Sequence, residues 1–160
     1  MPQKLWRNRE VVVDDWRYAE DGESGRIIEF DRFLSEREKW LSAPGRLGVI
    51  LKPEDRVEAL APHLSRFELV AARFSGPGEG RGYTQAKLLR ERYGFRGELR
   101  AIGYVRIDQL WFMARCGFDS FELSEADLQG AEQALATFSA AYQRSNDSGL
   151  KEKLGRQVAV

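Results

Sequence analysis

Short apolar runs alternate with longer amphipathic stretches along most of this chain. Ile27-Ile-Glu-Phe30, Leu47-Gly-Val-Ile-Leu51, Leu69-Val-Ala-Ala-Arg-Phe74, Glu98-Leu-Arg-Ala-Ile-Gly103 and Ser120-Phe-Glu-Leu123 have the length and side-chain content of strands. An earlier strand-like run, Glu10 to Trp16, leads into a polar loop from Ala19 to Gly25. Helix-length segments lie between the runs. Asp31 is placed to cap a helix over 32–41, which Ala43-Pro44-Gly45 ends. After Pro53, the residues Val57, Leu60, Ala61 and Leu64 mark one face of the next helix. Thr84 is placed to cap a helix over 85–93, with Gly94 as its left-handed stop. A helix over 107–116 ends at Gly117, and a last one spans 125–142.

Successive strand–helix units imply right-handed crossovers, so the expected fold is α/β with a mainly parallel sheet built from successive βα units. An open three-layer sandwich and a partial (β/α) barrel both fit the alternation. Residues 1–144 read as one domain, with an irregular strand and loop over the first 25 and a flexible polar tail over 145–160. In either arrangement ligands favour the loops after the strand carboxyl ends, here 52–55, 75–84, 103–108 and 124–127.

Composition narrows the chemistry. The formal charge is zero, with 25 bases and 25 acids, so no global field recruits nucleic acid or membrane. The polar start and the lack of an apolar run near the roughly 20 residues a bilayer needs point to a cytoplasmic protein. Cys116 is the only cysteine and His63 the only histidine, so no metal site or disulfide is expected and no cofactor is indicated. Cys116 reads as a core residue at a helix end that does not activate a thiol, and His63 as a rim residue.

Two features carry candidate chemistry. The loop Ser75-Gly-Pro-Gly-Glu-Gly-Arg-Gly-Tyr-Thr84 holds four glycines and enters a helix, an arrangement suited to anions. It matches neither a Walker loop nor a dinucleotide fingerprint. Residues 73–115 also hold nine bases against four acids, eight of the nine being arginine. Gly80, Arg81, Gly82, Tyr83 and Thr84, with Arg100, are therefore the candidate oxyanion site. The competing reading is a mobile loop with solvated arginines, and Arg90 and Arg92 read as such a solvated face. Arg100, inside a strand, needs an acid or an anion; Asp108 and Glu98 are the candidate partners. Asp108, Tyr83 and Tyr104 are weak candidates for proton transfer. The helix Ile-Asp-Gln-Leu-Trp-Phe-Met-Ala-Arg-Cys over 107–116 is apolar around more than one face, from complete burial or from an interface anchored by Trp111 and Phe112.

The run GRGYTQAKLLRERYGFRGELRAIG from Gly80, then DQLWFMARCGFDSFEL from Asp108, resembles a bacterial family known as domain of unknown function 934. RLGVIL, EALAPHLSRFELVAARF and the early DDW fit it more loosely. The resemblance implies an accessory protein, or a probable oxidoreductase, of assimilatory sulfate and sulfite reduction. Its partner would be sulfite reductase or another sulfur-assimilation enzyme, or its ligand a small oxyanion, and self-association stays open. It supplies no catalytic residues. The chain departs from the family pattern Gly-Asp-Val-Leu-Arg-Asp-Gln, reading Gly103-Tyr-Val-Arg-Ile-Asp-Gln109. Tyr104 thus replaces an acid, and Ile107 stands where the arginine is expected. Three functions follow: an accessory binding protein, an enzyme using a strand-end pocket of Arg81, Tyr83, Arg100 and Asp108, or a structural or regulatory subunit without a ligand.

Overall fold

A computed structural model describes residues 4–8, 10–18 and 25–136. Seven strands form one sheet in the order β2-β1-β7-β6-β5-β4-β3. Strands β3 (Arg26–Glu29), β4 (Leu47–Leu51), β5 (Leu69–Phe74), β6 (Glu98–Gly103) and β7 (Ser120–Leu123) run parallel in sequence order. The hairpin β1 (Lys4–Arg7) and β2 (Glu10–Val12) adds to β7 antiparallel. The four later strand spans coincide with the apolar runs. The early run differs, because only Glu10–Val12 is strand and its partner, Lys4–Arg7, lies in the polar start.

The helices are α1 (Phe30–Ser35), α2 (Arg37–Ser42), α3 (Val57–Leu60), α4 (Arg81–Lys87), α5 (Leu110–Cys116) and α6 (Glu125–Ala136). The expected helix over 32–41 is thus two pieces, broken at Glu36. A π turn, Leu88–Arg92, extends α4, and a 3-10 turn, Ile107–Gln109, precedes α5. Helix α6 is described to Ala136; its expected end at 142 and the tail 145–160 lie outside the described residues. Gly94 and Gly117 have φ of 65° and 115°, the left-handed stops the pattern called for. Among the described residues no helix is long and apolar enough to cross a membrane.

Strands laid down in sequence order by right-handed crossovers must send every helix to one face. The core confirms it. Phe33, Trp40, Leu60, Leu89, Leu110 and Met113 pack with Val49, Val70, Leu99 and Phe121 in one cluster. On the other face Trp16 covers a smaller cluster of Ile27, Ile50, Leu69, Ala71 and Ile102. Among the described residues no helix lies there; the extended segment 14–18 crosses it instead. Arg17 bridges to Arg26 at β3, yet the hydroxyl of adjacent Tyr18 bonds Glu122 on β7. On a flat sheet those strands stand about 19 Å apart, four spacings. The sheet therefore curls around this face, which is concave. The layout is that of a partial barrel, and the sheet does not close.

Candidate functional site

The glycine-rich loop leaves β5 at the carboxyl edge of the sheet, and α4 begins at Arg81, four residues before the expected start. Thr84 is consequently inside the helix and caps nothing; Gly80 holds the N-cap position without a side-chain bond. The backbone donors there are partly taken. Arg81 N–H donates to a carboxylate oxygen of Glu79 at 3.0 Å, and Tyr83 N–H donates to the Gly80 carbonyl at 3.2 Å. The loop thus brings its own anion to the helix start. Gly82 has a packing reason: a β-carbon there would stand 2.6 Å from the Phe74 ring, whereas one on Gly80 would meet nothing within 4 Å. Of the six residues assigned to one oxyanion site, Gly80 to Thr84 remain contiguous. Arg100 is not brought to them.

Arg100 is fully buried on the concave face. The strand register aligns Glu29, Ile50, Ala71, Arg100, Ser120 and Arg7 in one row across that face. Its guanidinium donates to Asp14 at 2.8 and 3.1 Å and to Glu98 at 3.1 and 3.3 Å, with Glu122 at 3.8 Å. Glu98 also accepts from Ser120 at 2.6 Å and from Arg7 at 3.1 Å. Of the two acids expected to partner Arg100, Glu98 does so. Asp108 does not: it lies exposed in the turn before α5, outside the strand row.

Asp14, Glu122, Ser120, Arg7 and Tyr18 are members of this network that the sequence does not single out. The available signal was Glu122 itself, a charge at an alternate position of a predicted buried strand. Burial pushes the Glu122 carboxyl up, against the opposing pull of the Tyr18 hydroxyl and Arg100. The Tyr18 phenol is held well above its ordinary range by burial and then by Glu122. The cluster accordingly favours a proton on the Tyr18–Glu122 pair.

Arg90 also departs from expectation. Its side chain is 10% exposed and clamps three loop carbonyls, donating to Phe95 at 2.8 Å, Gly97 at 2.9 Å and Gly117 at 2.9 Å. Asp119 adds a 2.6 Å ion pair. The residue ties the end of the α4 π turn to the entries of β6 and β7, so it is structural and not a solvated face.

The proton-transfer candidates are separated by exposure. Tyr104 is 38% exposed beyond Gly103. The Tyr83 phenol is raised by burial first, then by the Cys116 thiol and Asp108, so it keeps its proton. On α5, Leu110, Met113, Ala114 and Cys116 are buried and Trp111 partly so, while Phe112 remains 42% exposed. Complete burial therefore does not describe this helix. Phe112 packs on Tyr83 with ring centroids 4.8 Å apart, and Tyr83 on Phe74 at 5.1 Å. Arg115 stacks on Trp111 at 4.8 Å. Cys116 is fully buried with its thiol pushed up by burial, and His63 sits edge-on to Phe33. Among the described residues no group of histidine, cysteine and acids could hold a metal.

On the other side of α4, the β4–α3 loop forms a groove of about 370 Å³ with the helix. Lys52 N–H donates to Asp55 Oδ2 at 2.7 Å and Asp55 N–H to the Lys52 carbonyl at 3.0 Å, closing a tight turn. Gln85 fixes that turn from α4, its Nε2 donating to the carbonyls of Lys52 at 2.8 Å and Asp55 at 2.9 Å. The loop 52–55 is one of the expected ligand-binding loops, whereas nothing in the sequence pattern marks Gln85.

A profile described as a bacterial protein of unknown function (DUF934) matches residues 48–150, and the chain belongs to that family. No curated protein matches it. The matched span contains β4 to α6, hence Arg100, Glu98 and Glu122, but begins after the segment that supplies Asp14 and Tyr18.

Proposed function

We propose that this family member is a cytoplasmic accessory protein of assimilatory sulfite reduction, and that it docks sulfite reductase through the aromatic surface of α4 and α5. The pathway rests on the resemblance of the motifs from Gly80 to Leu123. The docking surface rests on one observation: Phe112 stands 42% exposed against Tyr83 on a helix whose other apolar residues are buried or, for Trp111, partly so. An exposed aromatic anchor backed by a second ring is the kind of residue that dominates interfaces. Lys87 and Arg115 stand on the same two helices and act together on the Cys116 thiol, which suits an acidic surface on the reductase. The oxyanion alternative has less support, since Glu79 already occupies the Arg81 N–H and Arg100 faces the other side of the sheet. The enzymatic alternative has less support still, since no hydrogen bond joins Asp108 to Tyr83 among the described residues and Tyr83 holds its proton.

A deletion strain tests both parts. It should grow on cysteine or sulfide and poorly on sulfate or sulfite. Wild-type protein should restore growth and Phe112→Ser should not, while purified sulfite reductase should bind wild type and not the variant. Equal growth on every sulfur source removes the pathway; full rescue by Phe112→Ser removes the docking surface.

A further inference from the structure

We infer that the concave face of the sheet binds a carboxylate carrying an apolar ring, and that residues 13–16 close this site by placing Asp14 and Trp16 where the acid and ring of the ligand sit. These residues run between two anchors, the end of β2 at Val12 and the bridge of Arg17 to Arg26. Side chains alternate along an extended chain. Here Val13, 92% exposed, and Asp15 point to solvent, while Asp14 and Trp16 point to the sheet. The floor beneath them is divided in the same order. Asp14 lies over the polar half, on Arg100, with Glu98, Ser120 and Glu122 around that guanidinium. Trp16 lies over the apolar half, made by Ile27, Ile50, Leu69, Ala71 and Ile102. A trough with an arginine at one end and aliphatic surface at the other takes an amphiphilic acid.

Two observations mark Asp14 and Trp16 as occupants of the trough and not as permanent parts of its core. The first is the Trp16 indole N–H, which is buried on a residue 5% exposed and has no acceptor among the described residues. Such a donor carries a desolvation cost that is relieved when the ring swings out to water. The second is the charge under Asp14. On the floor Glu29 pairs with Arg73, Glu98 with Arg7, and Glu122 accepts from the Tyr18 hydroxyl. Arg100 shares Glu98 with Arg7 and has room for one more carboxylate, which Asp14 supplies from outside the strands at 2.8 and 3.1 Å. The Asp14 side chain keeps 26% of its surface, so this pair opens from the solvent side. Arg46 latches the closed loop from outside the trough, pairing with Asp15 at 2.6 Å and stacking over the Trp16 ring at 4.3 Å. Alternate residues of an extended chain stand about 6.6 Å apart, which sets the spacing of acid and ring in the ligand. The trough is on the face opposite α4 and α5, so the inference rests on no part of the docking proposal.

Phenylbutyrate is the probe, titrated into the full chain and followed by the Trp16 indole N–H and by the amides of Ala71, Arg100 and Ser120. Wild type should show weak, saturable shifts of all four, with faster solvent exchange of the indole proton. The closing loop competes at the millimolar effective concentration of a tethered group. Asp14→Ala removes the competing carboxylate and should tighten binding at least about tenfold. Arg46→Gln loosens the latch, leaves the trough intact and should tighten binding about threefold. Phenylbutanol lacks the carboxylate and butyrate the ring, so each should bind the Asp14→Ala protein at least about tenfold more weakly than phenylbutyrate. Phe112→Ser should change none of these values. The inference is overturned if millimolar phenylbutyrate leaves the wild-type Trp16 indole unmoved, if phenylbutanol or butyrate binds as well, or if neither Asp14→Ala nor Arg46→Gln tightens binding.

Discussion

Replacing Arg100 with methionine is the most searching perturbation of this fold, because it leaves the carboxylates of the concave face without their common partner. Arg100 contributes two hydrogen bonds to Asp14 and two to Glu98 and has no exposed surface. Removing one member of a buried ion pair typically costs about 3–5 kcal/mol, mostly as the penalty on the charge left behind. Two features of this network pull the figure down. Glu98 keeps Arg7 and Ser120, and the Asp14 side chain is 26% exposed and can rehydrate. We therefore expect a loss of about 3 kcal/mol, a large share of the roughly 5–15 kcal/mol a domain has. Urea unfolding should show it as a lower midpoint, and thermal melting as a fall of about 6–12 °C for a chain of this size. Asp14→Asn alone should cost less, since Arg100 retains Glu98. The double variant Arg100→Met with Asp14→Asn should be less damaged than the sum of the two, by about 1.5 kcal/mol or more. Additive losses, or an Arg100→Met protein within about 0.5 kcal/mol of wild type, would show that the segment 14–18 is held by Trp16 and its backbone bridge and that the ion pair is incidental.

Two further outcomes follow from the same geometry. Gly82→Ala places a β-carbon 2.6 Å from the Phe74 ring and should cost about 1–3 kcal/mol by overpacking, whereas Gly80→Ala meets open space at a φ of −102° and should be neutral or gain about 0.5 kcal/mol; equal effects in thermal melts would remove the packing role given to Gly82. The raised Glu122 carboxyl binds its proton more tightly in the folded chain, so its contribution to stability is complete below the ordinary carboxylate range and is lost as pH rises through the folded value. Glu122→Gln should therefore match or exceed wild type at pH near 7, with the gap closing below about pH 4; a variant less stable at neutral pH, increasingly so as pH rises, would show that the ionised Glu122 is wanted by Arg100.

The parts of the fold legible in the sequence are those set by periodicity within one element. Strands 47–51, 69–74, 98–103 and 120–123 are buried enough to appear as short apolar runs, and they end at turn residues. Lys4–Arg7 is a strand because β7 offers it an edge, a tertiary cause that a polar run of four residues does not record. Direction of winding is equally invisible, since the same alternation wraps a sheet on one face or two. That single unknown governs how Arg100 is read. With helices on both faces it would need a neighbour such as Asp108, but with helices on one face it opens onto the crossing segment and meets Asp14. The arginine-rich third of the chain has the same explanation. Arg73 pairs with Glu29, Arg90 with Asp119, Arg100 with Asp14 and Arg106 with Asp127, and each of those acids lies outside 73–115. Charge separated along the sequence is thus in part recombined in space, because a parallel sheet sets residues from distant strands side by side. Arg81, at the sheet edge, has no ion pair among the described residues, and it borders the groove together with Arg56. An excess of arginine in sequence therefore points to a site only after its structural partners have been subtracted, and the arginines with the most bonds, Arg90 and Arg100, are the ones that hold the fold together.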